Sequence, residues 1–100
     1  MNFAISAGCT YKWATYVGFH SIGLVQLGSA NQYTQIQCQA ACIDEPSCNC
    51  VDFDHQLQTC WLGAEVTPPR VTSAEVTHFD LTRNCGTYFV IKDLFTRLIF

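Results

Sequence analysis

The sequence predicts an α+β domain with one helix and five strands. A helical segment with its own capping signals lies at 34–45. Two short segments before it and three after it have the composition or the alternation of strands. The chain has 100 residues and seven cysteines. It is therefore one domain at most, with a modest core that disulfide bonds would help to stabilise.

The strands before the helix are expected at 11–17 and 22–26. Gly18 and Gly23 separate them from their neighbours.

The helix has a start signal and a stop signal. Thr34 is the expected N-cap and Gln37 stands three residues later, which is the capping-box arrangement. Pro46 ends the helix. Cys38 and Cys42 are four residues apart, so both lie on one face.

The segments after the helix read as a hairpin, a loop and a last strand. We expect strands at 48–54 and 59–63 around a turn at 55–58, a loop at 64–75 and a strand at 76–85. Alternation puts Val51 and Phe53 on one face of the first of these strands, opposite Cys50, Asp52 and Asp54. In the last strand it puts Val76, His78 and Asp80 on one face.

The last fifteen residues, 86–100, form an apolar tail outside the domain expected at 1–85. A set of apolar residues recurs there at helical spacing: Ile91, Leu94, Phe95, Leu98 and Ile99. This pattern predicts an amphipathic helix. Such a helix would dock on a partner or a membrane surface, or pack on the domain's own core; the third reading is an artefactual tail.

Charge and hydropathy exclude several classes of protein. The net charge is −3 and the five basic residues form no cluster. Nucleic-acid binding requires several basic side chains against phosphates, so we do not expect it. No stretch reaches the roughly 18 to 20 apolar residues of a membrane span. The first nine residues are too short for a signal peptide, so we expect a fragment, a mature form or an incomplete first exon.

The cysteines favour disulfide bonds over metal or redox chemistry. Zinc sites usually pair cysteines as C-x2-C or C-x4-C, whereas this chain has C-x3-C and C-x-C. A zinc site there would leave Cys9, Cys60 and Cys85 unexplained. The C-x-x-C of redox enzymes is absent. Three bridges with one cysteine left over account for more of the chain, although spacing alone does not determine the pairs.

The cysteine frame resembles a PAN/apple domain. The resemblance consists of C-x3-C-x5-C from Cys38 to Cys48, Phe53 five residues later, and C-x-L at Cys60, and it covers about 9–85. It implies a helix packed across an antiparallel sheet of about five strands. It also implies three disulfide bonds: Cys38–Cys60, Cys42–Cys48 and Cys9–Cys85.

Cys50 has no counterpart in that pattern. One hypothesis is an intermolecular disulfide that links chains into an oligomer. The other is a free, partly buried thiol.

Three residues are candidate ligand contacts. Trp61 faces outward if Cys60 faces the helix, and it would then stack on a sugar or anchor a protein interface; a covering loop is the alternative. Asp52 and Asp54 flank Phe53 and would serve as paired carboxylates. Nothing else completes a catalytic or Ca²⁺ site, so a solvated strand face is our interpretation.

The resemblance and the residues together predict a secreted or cell-surface recognition module. It would bind another extracellular protein or a glycan, with no enzymatic activity, cofactor or metal. The first alternative is an extracellular-matrix component cross-linked through Cys50. The second is a small zinc-binding protein with reduced thiols.

Overall fold

Across residues 3–91 the fold consists of one helix and five strands, and the predicted α+β class is confirmed. The computed structural model describes residues 3–91, with side chains over 8–85. The elements are β1 (Phe3–Ser21), β2 (Val25–Leu27), α1 (Gln35–Asp44), β3 (Cys50–Asp54), β4 (Thr59–Gly63) and β5 (Arg70–Ile91). Within this part of the chain, no helix has the length and apolar character needed to cross a membrane.

All neighbouring strands of the single sheet are antiparallel. Their order is β1-β5-β3-β4-β2, so β3 is the central strand. β3 and β4 form the expected hairpin around residues 55–58.

The helix is capped at both ends. Thr34 Oγ1 accepts from the Gln37 amide at 3.2 Å, and Gln37 Oε1 accepts from the Thr34 amide at 3.0 Å. The predicted capping box is therefore confirmed. At the other end, the Arg83 guanidinium of β5 donates to the carbonyls of Cys42 and Glu45 at 2.7 and 2.9 Å. The same carbonyls also accept from the backbone amides of Glu45 and Cys48, at 3.1 and 2.9 Å. Carbonyls at a helix end have no i+4 amide within the helix, so Arg83 adds to their hydrogen bonding and fastens the helix end to the sheet.

The apolar core lies between α1 and one face of the sheet. Its fully buried members come from the helix, the following loop and the three central strands: Cys38, Cys42, Cys48, Val51, Phe53, Cys60, Phe79 and Leu81. Trp13 of β1 meets Phe79 edge-on, with ring centroids 6.1 Å apart.

Three disulfide bonds connect the elements, in the pairs that the resemblance implies. Cys38–Cys60 joins α1 to β4, and Cys42–Cys48 joins α1 to the loop after it. Cys9–Cys85 joins β1 to β5. Because Cys38, Cys42 and Cys48 are all paired, the prediction of a zinc protein with reduced thiols is wrong.

The edge strands depart from the predicted boundaries. The strand predicted at 11–17 is longer, because Gly18 does not end it: with φ of +83° it makes a bulge, and pairing with β5 resumes at Phe19. The strand predicted at 22–26 begins later, at Val25. Gly23, with φ of +89°, lies in the turn between the two strands.

The last strand is longer than predicted in both directions. Residues 70–75 were expected in a loop because of their Ser and Thr content, but they belong to β5. Residues 70–72 pair with the end of β1, where Ser21 stands opposite Arg70, and 73–75 lie where the pairing with β1 is irregular. At the other end β5 continues to Ile91, opposite Phe3. A helix over 86–91 is therefore wrong, since β1 supplies a strand partner that the tail's own periodicity does not reveal. Residues 92–100, which hold the rest of the predicted helix, lie outside the described residues.

Candidate functional site

The sheet face opposite the helix carries polar side chains in its middle. Asp52 of β3 lies between His78 of β5 and Trp61 of β4 in the strand register. Cys50 lies between Asp80 and Gly63 in the same way. The alternation predicted for β3 and β5 therefore places these side chains on one face.

This face is covered, so the interpretation of Asp52 as part of a solvated surface is wrong. Asp52 is 3% exposed and His78 is fully buried. The reason is that β1 and β5 both extend further than the sequence predicts. The end of β1 and the start of β5 bring Ser21 and Arg70 against the carboxylates of the face.

A hydrogen-bonded chain runs through the buried face. Asp52 Oδ2 accepts from the Ser21 amide at 2.8 Å. Asp52 Oδ1 lies 2.6 Å from His78 Nδ1, and Asp80 Oδ1 lies 2.6 Å from His78 Nε2. Side-chain contacts thus connect β1, β3 and β5, in addition to the backbone pairing of these strands.

The surroundings of His78 favour its imidazolium form. Each ring nitrogen faces a carboxylate oxygen, and the imidazolium form is the one that donates to both. Burial lowers the pKa of His78, but the hydrogen bonds to Asp52 and Asp80 outweigh burial and raise its pKa above the usual 6.5.

Arg70 supplies a second positive charge. Its guanidinium lies 3.8 Å from Asp80 Oδ2 and stacks over the Tyr16 ring, 3.6 Å from the ring centre. Two carboxylates are thus matched by two cations. Among the described residues, however, Asp80 Oδ2 has no hydrogen-bond partner.

Cys50 is a free, fully buried thiol. Burial, followed by the charges of Asp80, Asp52 and Glu65, raises the pKa of Cys50 to about 12. A thiol that is both inaccessible and protonated does not reach a second chain. The hypothesis of a matrix component cross-linked through Cys50 is therefore wrong.

A cavity of about 320 Å³ opens beside the buried network. Its walls come from β1, the β1–β2 turn, β3, β4 and β5: His20, Ser21, Gly23, Leu24, Asp52, Trp61, Ser73 and Val76. Trp61 is partly exposed, as predicted from alternation. The structure thus brings together two of the three candidate contact residues, Trp61 and Asp52.

The third candidate, Asp54, has another task. It accepts from the amides of Gln56 and Leu57, both at 2.9 Å, and so fixes the β3–β4 turn. It is not among the residues that line the cavity.

A second cavity, of about 390 Å³, lies on the helix side. It is wider and more open, and its walls are Leu27, Ala41, Asp44, Glu45 and Leu62. It contains no aromatic ring and no buried polar side chain. The Trp61 cavity is therefore the better candidate for a specific ligand.

The sequence pointed to Trp61 and Asp52 but missed Ser21, His20 and Leu24. Alternation does group His78 with Asp80, yet it does not say which strands are neighbours. The sequence signal nearest to the missed residues is Gly18, because a glycine inside a strand often marks a bulge, and pairing with β5 resumes after it at Phe19.

One comparison with known proteins gives a match. A family model described as the PAN domain matches residues 18–85. Comparison with curated proteins and with solved structures gives no match.

Proposed function

The chain belongs to the PAN domain family, and on that premise we propose that it is an extracellular recognition module that binds a carbohydrate in the Trp61 cavity. PAN domains are non-catalytic modules that bind proteins or carbohydrates, and those with several disulfides are typically extracellular.

One observation carries the proposal: an indole ring and a fixed carboxylate stand on neighbouring strands in a single concave site. The flat apolar side of a sugar ring stacks on an aromatic face. Hydroxyl groups of the sugar then need acceptors and donors at the edges of that ring. Ser21, Ser73 and His20 supply them around the Trp61 cavity.

The size of the cavity favours one sugar ring. Small-molecule sites span about 300–1,000 Å³, and 320 Å³ is at the low end of that range. A terminal or single branching sugar fits this space better than several consecutive rings.

The site is built for binding rather than for proton transfer. Both oxygens of Asp52 are already engaged, one by the Ser21 amide and one by His78. A carboxylate held in this way orients a ligand without needing to exchange a proton. This arrangement supports a role without catalysis.

A protein ligand is the second candidate, supported by the rim of the cavity. Ile22 and Val25 flank the wall residues Gly23 and Leu24 in the chain and are 76% and 71% exposed. Exposed aliphatic side chains beside a concave site are typical of protein interfaces.

A glycan array tests the proposal with disulfide-intact protein. We expect defined glycans to be bound by the wild-type chain and lost by Trp61→Ala. Tyr11→Ala is the matched control, since Tyr11 is an exposed aromatic residue that does not line the cavity. Fluorescence titration of the strongest sugar in a Trp13→Phe background then reports on Trp61 alone.

Glycan binding that survives Trp61→Ala would contradict the site. An array without bound glycans would contradict the carbohydrate proposal. In that case, loss of a bound extracellular protein on Ile22→Ser would favour the protein ligand.

A further inference from the structure

The buried face contains a cluster of metal-ligand side chains beside the network already described. Cys50 Sγ, a ring nitrogen of His78 and a carboxylate oxygen of Asp80 lie within 4.8 Å of one another. All three residues are buried. None of them lines the Trp61 cavity.

Asp80 gives independent evidence for a ligand at this cluster, because one of its carboxylate oxygens lacks a hydrogen-bond donor among the described residues. Its side chain is only 7% exposed, and Oδ2 accepts no hydrogen bond from the described residues. Arg70 lies 3.8 Å away, which is too long for a hydrogen bond. A buried carboxylate oxygen without a donor is costly, and a cation would satisfy it.

Asp52 supplies the support that a metal-bound histidine requires. It accepts from His78 Nδ1 at 2.6 Å, which leaves Nε2 on the side of Asp80. Histidines that bind metals commonly donate their other N–H to a carboxylate, which fixes the ring. This orienting contact is already present.

From this geometry we propose that Cys50, His78 and Asp80 bind one divalent transition-metal ion, best matched by Zn²⁺. One sulfur, one nitrogen and one oxygen suit zinc, because it accepts all three ligand types. Zinc bond lengths of about 2.0–2.3 Å in tetrahedral geometry separate ligand atoms by roughly 3.3–3.6 Å. His78 Nε2 and Asp80 Oδ1, now 2.6 Å apart, would separate by roughly 0.7 Å, and the sulfur would move inward by up to roughly 1.5 Å.

Charge is conserved when the ion binds. The Cys50 thiol and His78 Nε2 each lose one proton to solvent, and the ion forms bonds to the sulfur, the nitrogen and Asp80. A coordinating thiol is deprotonated by the ion itself. Arg70 stays beside Asp80, and Asp52 keeps its hydrogen bond from His78 Nδ1. Three protein ligands leave a fourth position for water.

Cobalt titration tests the proposal on disulfide-intact protein without reductant. Six of the seven cysteines are in disulfides and Cys50 is the remaining thiol. A thiolate-to-cobalt charge-transfer band in the wild-type chain therefore reports Cys50. We expect that band at one Co²⁺ per chain, its loss on adding Zn²⁺, and one metal per chain by native mass spectrometry.

Variants separate this site from the surface. Cys50→Ala is expected to lose the band, and Asp52→Asn to weaken binding by about 10- to 100-fold. His55→Ala is the control, since His55 is an exposed histidine in the β3–β4 turn, and it is expected to bind normally.

Two results would overturn the proposal: no binding at one ion per chain, or binding without the charge-transfer band. Neither readout depends on a glycan. Failure of the metal site and failure of carbohydrate binding are therefore separate outcomes.

Discussion

Replacing Asp52 with alanine is expected to destabilise the domain strongly. The change removes one carboxylate from a site that is 3% exposed. The Ser21 amide, now 2.8 Å from that carboxylate, is left buried without this acceptor. His78 Nδ1 loses its 2.6 Å contact and keeps only the longer one to Ser21 Oγ, at 3.3 Å.

The magnitude follows from these two contacts. A hydrogen bond to a charged group contributes about 1.5–3 kcal/mol, so two of them suggest a loss of about 3–6 kcal/mol. Removing one partner of a buried ion pair costs about 3–5 kcal/mol by an independent route. We therefore expect the free energy of unfolding to fall by about 3–5 kcal/mol, a large part of the roughly 5–15 kcal/mol of a whole domain.

Urea unfolding followed by tryptophan fluorescence measures this loss. Trp13 packs on the helix side against Phe79, and Trp61 lies on the other side next to Asp52. Single-tryptophan versions of the chain report each side separately. Coincident transitions would justify a two-state free energy.

A double-mutant cycle with His78→Ala isolates the pair. With His78 absent, Asp52→Ala loses only the Ser21 contact, so we expect a coupling energy of about 2 kcal/mol. A loss below about 1 kcal/mol for Asp52→Ala, or a coupling energy near zero, would show that the carboxylate is not held as described.

Three further changes test other parts of the fold. Gly63→Ala places a Cβ 2.7 Å from Cys50 Sγ, and overpacking of this kind lowers stability by about 1–3 kcal/mol in thermal unfolding; an unchanged Tm would contradict that contact. In metal-free protein with EDTA, the raised pKa of His78 contributes stability that is complete below pH 6.5 and is lost as pH rises through the folded-state pKa. Urea unfolding midpoints measured across pH test this loss of stability. If the midpoint of His78→Gln falls with pH as steeply as that of the wild-type chain, His78 is not its cause. Replacing Cys38 and Cys60 together by serine opens a loop with a separation of 22 residues, and the free energy of unfolding is expected to fall by roughly 3 kcal/mol; a fall below about 1 kcal/mol would contradict the loop-closure argument.

The helix and the hairpin could be predicted because their signals are local. Thr34 and Gln37 stand three residues apart and cap the helix without help from other elements. The β3–β4 hairpin likewise depends on a short turn that Asp54 fixes. Periodicity and turn chemistry are sufficient for such segments.

The buried network could not be predicted because it depends on strand neighbours far apart in the chain. Asp52 was assigned to a solvated face, since alternation alone makes one face of a strand polar. What buries it is Ser21, 31 residues earlier, and its charge partner is His78, 26 residues later. The pattern of β3 contains no information about either residue.

Trp61 occupies a middle position between these cases. Its orientation followed from Cys60 and from strand alternation, and it was predicted. Trp61 also shares a cavity with Ser21 and Leu24. This depends on the position of the turn after β1, and no local signal predicts that the turn lies near β4.

The pairing of β1 with β5 determines the order in which this domain can form during synthesis. β5 is the last strand of the described chain, and β1 has no other strand neighbour. During synthesis, therefore, β1 remains unpaired while the elements between it and β5 can already associate: the helix, β2, β3 and β4. Contacts of such large sequence separation are slow to form, because the intervening chain must first be ordered. Until β5 arrives, the unpaired edges of β1 and β3 are available to other chains, so the interval before the sheet closes is when this domain is most exposed to aggregation.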